Sequence, residues 1–387
     1  MNEQVRTLQE LFVKTYHTEP EIIGRAPGRV NLIGEHTDYN GGFVFPMAIN
    51  FQILLAAKRR PDSSVRIFSA DYGEQVEFSL ATPVQPDGVK RWSNYLRGVF
   101  VILQQAGITL PGVDIVFCGD IPQGSGLSSS AALEVGTAVV LQKMTGFAMT
   151  PPELAKQCQK AENEFVGMKC GIMDQFISMM GQANRALFLD CRSLEYQQIP
   201  LELGDYRILI CQSGVKHALV DSEYNKRRQE CEQGVAVIAG RFPAVKQLRD
   251  ASLEQLAACR AEMDEIVFKR CHHVITEDNR VWESVAALQK GDLATFGRLM
   301  NASHDSLRDA YQVSCPEIDF LVNLAREVPG VLGARITGGG FGGCTVNLIA
   351  AAAVETFEKN VTAAYRRQTG IEPKMYISTA AKGAEIL

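Results

Sequence analysis

The sequence predicts a two-domain α+β protein. Three observations carry that expectation. The chain has 387 residues, more than a single domain of roughly 100 to 200 residues usually holds. Strand and helix patterns alternate in its first half, and again after a helix-rich stretch from about Asp221 to Asn301. No low-complexity linker and no internal repeat suggests an array. Hydrophobic content of 46%, charged content of 21% and a formal net charge of -5 describe an ordinary globular composition. They offer no attraction to nucleic acid or to an anionic membrane, so small molecules are the expected partners.

In chain order, Val5, Leu8 and Phe12 share one helical face, in a segment that carries acids and has no apolar signal core. Glu21 to Ala26 reads as a short strand breaking at Pro27-Gly28, and Arg66 to Ala70 as another. Trp92 to Gln105 is helical, Val113 to Cys118 is a buried strand, and Ala131 to Met144 is a helix. Thr150-Pro-Pro-Glu153 combines an N-cap threonine, a proline at the first helical position and a capping-box glutamate. It opens a helix with Leu154, Cys158, Ala161 and Phe165 on one face, ending near Gly167. Arg185 to Asp190 and Tyr206 to Cys211 are strands, and the domain division is expected near residue 190, giving domains 1–190 and 191–387. The last portion reads helix, strand Val331 to Ile336, glycine loop, strand Cys344 to Ile349, helix and strand Met375 to Thr379.

Ten cysteines without a Cys-x-x-Cys pair fit reduced thiols in a cytoplasmic protein, and no segment is long and apolar enough to span a bilayer. Cys271-His272-His273 lies in a helical pattern, where neighbours point about 100° apart, so structural histidines are expected there rather than a metal site. Lys226-Arg227-Arg228 reads as a solvated helix face.

Asp120-Ile-Pro-Gln-Gly-Ser-Gly-Leu-Ser-Ser-Ser130 carries the strongest functional signal. A glycine-rich turn between a strand and a helix makes a phosphate cradle: Gly124 and Gly126 allow close backbone approach, and a helix opening near Ser128 aims free N–H groups at an anion. The hydroxyls of Ser128, Ser129 and Ser130 can reach phosphate oxygens or Mg2+. The run is neither Gly-x-x-x-x-Gly-Lys-Ser/Thr nor Gly-x-Gly-x-x-Gly, which disfavours both common nucleotide folds. Ala26-Pro-Gly-Arg-Val-Asn-Leu-Ile-Gly-Glu-His-Thr-Asp-Tyr-Asn40 crowds Arg29, Glu35, His36, Asp38 and Tyr39 onto an expected loop, a mixture suited to the hydroxyls of a polyol. Asp174, in Cys170-Gly-Ile-Met-Asp-Gln175, stands where the next helix should start. Thr337-Gly-Gly-Gly-Phe-Gly-Gly343 is too rich in glycine for a routine hairpin and implies a closely approached ligand or loop.

In that order, the segment 26–40, Gly124-Ser-Gly-Leu-Ser-Ser-Ser130 and Thr337-Gly-Gly-Gly-Phe-Gly-Gly-Cys344 resemble three motifs of the galactokinases, within the GHMP family of small-molecule kinases. The resemblance covers nearly the whole chain. Two departures are small: Ser125 replaces a common alanine or glycine, and Ala132 a common serine. The resemblance implies an N-terminal α/β domain of the ribosomal-protein-S5-like kind and a C-terminal ferredoxin-like domain, with the active site between them. It implies that Glu35, His36, Thr37, Asp38, Gly171 and Tyr224 surround galactose. Gly124, Ser125, Gly126, Leu127, Ser128, Ser129 and Ser130, with Ser69, would hold ATP, and Ser130 and Glu162 would serve Mg2+. The composition of its helix alone makes Glu162 an exposed acid.

The implied reaction moves the γ-phosphoryl group of ATP to the anomeric hydroxyl of α-D-galactose, with Asp174 accepting the proton and Arg29 offsetting charge on the transferring group. A carboxylate beside Arg29 should be a weak base, but a loose transition state asks for little early deprotonation, so Asp174 can orient the hydroxyl and take its proton late. Two alternatives stay open, a kinase for N-acetylgalactosamine and a catalytically silent galactose sensor. The expected partners are galactose and ATP, without nucleic acid or membrane, and a monomer is the expected state.

Overall fold

The computed structural model describes residues 3–122, 124–215 and 220–387. Helix α1 (Glu3–Tyr16) buries Val5, Leu8, Phe12 and Tyr16 against Leu54, Ala56 and Val116 of the first sheet, the face its spacing predicts. Strand β1 (Ile22–Asn31) does not break at Pro27-Gly28. Its register against the third strand shifts between Pro27 and Arg29, so a bulge absorbs the proline and re-aims the residues after it. Arg29 therefore belongs to a strand, and only the residues after Asn31 form the expected loop.

Next come β2 (Phe43–Val44), β3 (Pro46–Arg60), β4 (Ser64–Ser69), β5 (Glu74–Ser79), α2 (Ser93–Gln105) and β6 (Gly112–Gly119). The sequence pattern does not reveal β3, the longest strand, because Ile53 to Ala57 are all buried and a strand covered on both faces shows no alternation. Helix α3 (Ser129–Thr145) follows the phosphate-cradle run, and α4 (Pro151–Lys160) opens on the predicted Thr150/Glu153 capping box. A box of this kind stabilises a helix start by about 1 kcal/mol. The helix continues as a π-helical turn over Ala161–Val166 and stops at Gly167, the predicted end. Then follow α5 (Met173–Met180), β7 (Arg185–Asp190), β8 (Tyr196–Pro200), β9 (Tyr206–Gln212), α6 (Val220–Arg241), α7 (Leu253–Ala258), α8 (Glu265–Gln289) and α9 (Leu293–Ser306). The chain finishes with α10 (Pro316–Glu327), β10 (Val331–Thr337), β11 (Cys344–Ala350), α11 (Val354–Thr369), β12 (Lys374–Ser378) and β13 (Glu385–Ile386).

The strands form three sheets, ordered β13-β1-β3-β6-β4-β5, β10-β11-β9-β12 and β2-β7-β8. Only β4 and β6 pair in parallel among the described residues. The β7–β8 pair joins Arg185 to Pro200, so a division at residue 190 would cut a hairpin. We propose that the halves meet after β8, with the last strand returning to the first sheet. Strand β9 separates two cores. Ile208 and Ile210 point into the core shared with α3 and the first sheet, while Leu209 and Cys211 point into the helical core of the second half. Each large apolar side chain buried in this way contributes about 1.5 to 3 kcal/mol, and the alternation fastens the two halves into one packed body.

Candidate active site

A cavity of about 380 Å³ opens where the loop after β1, the turn before α3, the start of α5 and the glycine loop between β10 and β11 meet. Gly124 to Ser130 all line it, and Gly124, Gly126 and Ser128 hold positive φ angles of 63°, 75° and 62°. That backbone aims the start of α3, with its unpaired N–H groups, at the cavity. Serine rarely adopts a left-handed conformation, so Ser128 is held there by its surroundings. Its Oγ donates to Oδ2 of Asp174.

Asp174 lies in the first turn of α5, as expected, and Arg29 grips both of its oxygens, Nε to Oδ1 at 2.7 Å and Nη2 to Oδ2 at 2.6 Å. The third arm of Arg29 donates to the carbonyl of Gly126 at 2.5 Å. Burial works against the charge on Arg29, but Asp174 and Glu35 outweigh it and keep the guanidinium protonated more firmly than usual. A bidentate pair of this kind fixes orientation as well as charge, here at the junction of the two loops.

The loop after β1 brings Glu35, His36 and Asp38 to the cavity, opposite Gly171 and Tyr224. Glu35 Oε1 accepts from Thr337 Oγ1 at 3.1 Å, Gly338 N at 2.8 Å and Arg335 Nη1 at 3.3 Å, so the second half of the chain holds this acid in place. Helix α8 grips the loop backbone. Glu277 accepts from Gly34 N at 2.9 Å, Asp278 accepts from Phe43 N at 2.8 Å, and His273 Nε2 lies 3.1 Å from the Glu35 carbonyl. His36 has a φ of 64°, and its Nδ1 meets the Tyr39 hydroxyl at 2.7 Å. Burial first, then His273 and Arg227, lower the His36 pKa to about 3, so the ring is neutral. Burial and the charge of Asp174 push Asp38 up to about 7.

Ser130 and Glu162 face the same cavity. Glu162 is buried on the π-helical turn, contrary to the exposed acid that helix composition suggests. Burial and Asp174 raise its pKa to about 7, and the Ser130 hydroxyl bonds its carboxylate. Behind it, Gln175 Nε2 donates to Glu162 Oε2 at 2.6 Å and to Glu134 Oε2 at 3.0 Å.

Two expected residues do not reach the cavity. Thr37 is buried with its hydroxyl spent on the carbonyls of Gly34, at 2.9 Å, and Phe43, at 2.6 Å, so it braces the loop from inside. Ser69 is fully buried at the end of β4, where its Oγ accepts from Tyr72 N at 3.4 Å. Arg227 is not a solvated cation: it is buried and donates to the carbonyls of Tyr311 and Gln312. His273 is structural, as expected. Sequence reasoning missed Glu134, Gln175 and Arg335 as parts of the site. A signal existed for Glu134, an acid in the otherwise apolar run Ala131 to Val135.

Three family models match the chain, the galactokinase galactose-binding signature over residues 10–59, the GHMP kinases N terminal domain over 94–182 and the GHMP kinases C terminal over 284–367. A galactokinase of Roseiflexus sp. (strain RS-1) is 47% identical over 97% of this chain and 95% of its own. A galactokinase of Pasteurella multocida (strain Pm70) is 43% identical over 98% of this chain and 99% of its own. The crystal structure of Lactococcus lactis galactokinase complexed with galactose superposes with a TM-score of 0.96 at 38% identity, covering 99% of this chain and 100% of that one. The Methanococcus jannaschii mevalonate kinase, at 20% identity and a TM-score of 0.68 over 93% of this chain and 98% of its own, shares the fold.

Proposed function

The chain belongs to the galactokinases of the GHMP kinase family, and from that premise we propose how its residues move the γ-phosphoryl group of ATP to the anomeric hydroxyl of galactose. The observation that carries the proposal is the Arg29–Asp174 pair, set between a polyol-binding loop and a phosphate cradle. Glu35, His36, Asp38, Gly171 and Tyr224 surround the sugar. Neutral His36 acts as a hydrogen-bonding group, and sugar hydroxyls donating to Asp38 replace the water whose loss raised its pKa.

The loop from Gly124 to Ser130 and the start of α3 hold the phosphates. The anomeric oxygen attacks the γ-phosphorus, the bond to the bridging oxygen breaks, and ADP leaves. Asp174 orients the hydroxyl and accepts its proton late, while Arg29 aligns Asp174 and offsets charge on the transferring group. The donor set at Ser130 and Glu162 fits Mg2+: a carboxyl raised by burial and by a neighbouring acid gains from a cation. One hydroxyl and one carboxylate leave the remaining positions to water and phosphate. When bound, Mg2+ supplies charge neutralisation on the phosphate oxygens.

Ten unpaired cysteines support a cytoplasmic setting, and no helix among the described residues is long and apolar enough to cross a membrane. A coupled ADP-release assay across galactose, glucose and N-acetylgalactosamine tests the assignment. A site built to bond the galactose 4-hydroxyl should disfavour glucose by roughly 10⁴ to 10⁵ in kcat/KM. Comparable turnover of the two sugars would refute galactose selectivity, preferred turnover of N-acetylgalactosamine would move the substrate to the acetamido sugar, and no turnover of any would favour a silent sensor.

A further inference from the structure

Glu134 and Gln175 take part in none of the roles above, yet they are built into the site with care. Both are fully buried. The Gln175 amide lies between two carboxyl groups, so only its amino end fits. A flipped amide would set its carbonyl oxygen against carboxyl oxygens on both sides. Gln175 Oε1 and Glu134 Oε1 are left without hydrogen-bond partners, a desolvation cost that an apolar pair of the same size would avoid. Stability is therefore a poor reason for this arrangement.

We propose that Glu134 and Gln175 are positioning residues that fix the Glu162 carboxylate for the metal-nucleotide complex. This rests on the reading of Glu162 as a Mg2+ ligand. Glu134 lies one turn beyond Ser130 on α3, so that helix carries the hydroxyl of the metal pair and, through Gln175, the anchor of its carboxylate. Gln175 directly follows Asp174 on α5, which ties the metal acid to the helix that carries the proton acceptor. Glu162 sits on a π-helical turn; its Oε2 accepts otherwise from Cys170 Sγ at 3.4 Å, and its carboxylate bonds the Ser130 hydroxyl, which would itself face the metal. The two elements bearing the reacting groups thus set the direction of the third.

The test uses the full-length protein and reads binding. Calorimetry gives the affinity for a non-hydrolysable ATP analogue with and without Mg2+, and the ratio measures the metal's contribution. Outer-shell partners of metal ligands change metal affinity by about 10- to 100-fold. Glu134→Leu and Gln175→Leu should lower that ratio at least about tenfold, leaving metal-free nucleotide binding and galactose binding unchanged. Glu134→Gln keeps an acceptor for Gln175 and should restore the ratio. The double variant Glu134→Leu/Gln175→Leu removes both partners and leaves no buried N–H without its acceptor, so its melting temperature should hold, which separates mispositioning from misfolding. Should that variant fail to fold, Gln175→Leu and Gln175→Met carry the same reading. Glu162→Ala is the control. If it loses the Mg2+ enhancement while Glu134→Leu and Gln175→Leu retain it, the positioning role is wrong. If Glu162→Ala itself retains the enhancement, the metal reading fails and the positioning role with it.

Discussion

Asp174 makes its two contacts with Arg29 and one with Ser128, so Asp174→Asn removes the charge and the proton acceptor from a side chain whose place is otherwise secured. Galactose binding measured by calorimetry should survive. A positioned general base contributes roughly 10² to 10⁴ in rate, so phosphoryl transfer followed by rapid quench should slow by about that much. Near-normal chemistry in a variant that binds sugar would reduce Asp174 to a helix-start acid. Asp278 gives a pH prediction because burial holds its folded pKa at about 7 against an ordinary 3.8. Below the lower value both folded and unfolded states keep the proton. Between the two values only the folded state keeps it, so stability falls as pH rises, by about 1.4 kcal/mol per unit, and levels off above the folded pKa. Asp278→Asn should flatten this decline by up to about 4 kcal/mol across the window, as read from denaturant melts at pH 4.5, 5.5, 6.5 and 7.5. An unchanged slope would mean that Asp278 is charged in the folded protein. The residues legible in the sequence, Arg29, Asp174 and Ser128 to Ser130, are those whose chemistry is carried by a local motif. Thr37 and Ser69 turn their hydroxyls to the protein's own backbone, and neither a motif nor a family resemblance says which way a hydroxyl points. Gln175 and Arg335 were missed because their meaning comes from partners far along the chain.

At the scale of elements, the glycine loop and the phosphate cradle touch. Gly343 has a φ of 80°, and a Cβ there would lie 2.9 Å from the carbonyl of Ser125. Gly343→Ala therefore adds left-handed strain of roughly 1 to 2 kcal/mol and pushes on the cradle. KM for ATP should rise about tenfold, corresponding to about 1.4 kcal/mol, with calorimetric galactose affinity close to normal. A rise confined to galactose would mean that this glycine serves the sugar side. The one-sided patterns of α1, α4 with its cap and β4 were legible, as were the short apolar runs of β6 and β9 to β12 between turn residues, and all lie near their expected places. Strand β3 lacked a readable period because both its faces are covered. The short strands β2, β8 and β13 have no period of their own and exist because a neighbour offers an edge. The continuation of β1 through Pro27-Gly28 was hidden for another reason: a bulge accommodates what a regular strand could not.

For the whole molecule, a two-domain α+β protein was readable from length and alternation, but its cohesion was not. Glu35 is held by Arg335, Thr337 and Gly338 of the second half, and α8 of that half grips the loop that carries it. A sugar bound at Glu35 should therefore stabilise both halves together. At 100 times its dissociation constant, galactose should add about 2.7 kcal/mol to unfolding, seen as an upward shift of one cooperative transition in differential scanning calorimetry. Two transitions, only one of them moved by galactose, would show that the halves melt independently. The return of β13 to β1 has a consequence on another axis, the time course of synthesis. Glu385 pairs with Arg25 at 2.6 Å across 360 residues of sequence. At about 5 to 20 residues per second, a ribosome makes the strand that closes this edge roughly 20 to 70 seconds after the strand that needs it. Throughout that interval β1 presents an unpaired rim of N–H and C=O groups, the feature by which nascent chains stick to one another. The first sheet is thus a structure the growing chain must leave unfinished, and a helper that shields exposed strand edges would find its substrate there.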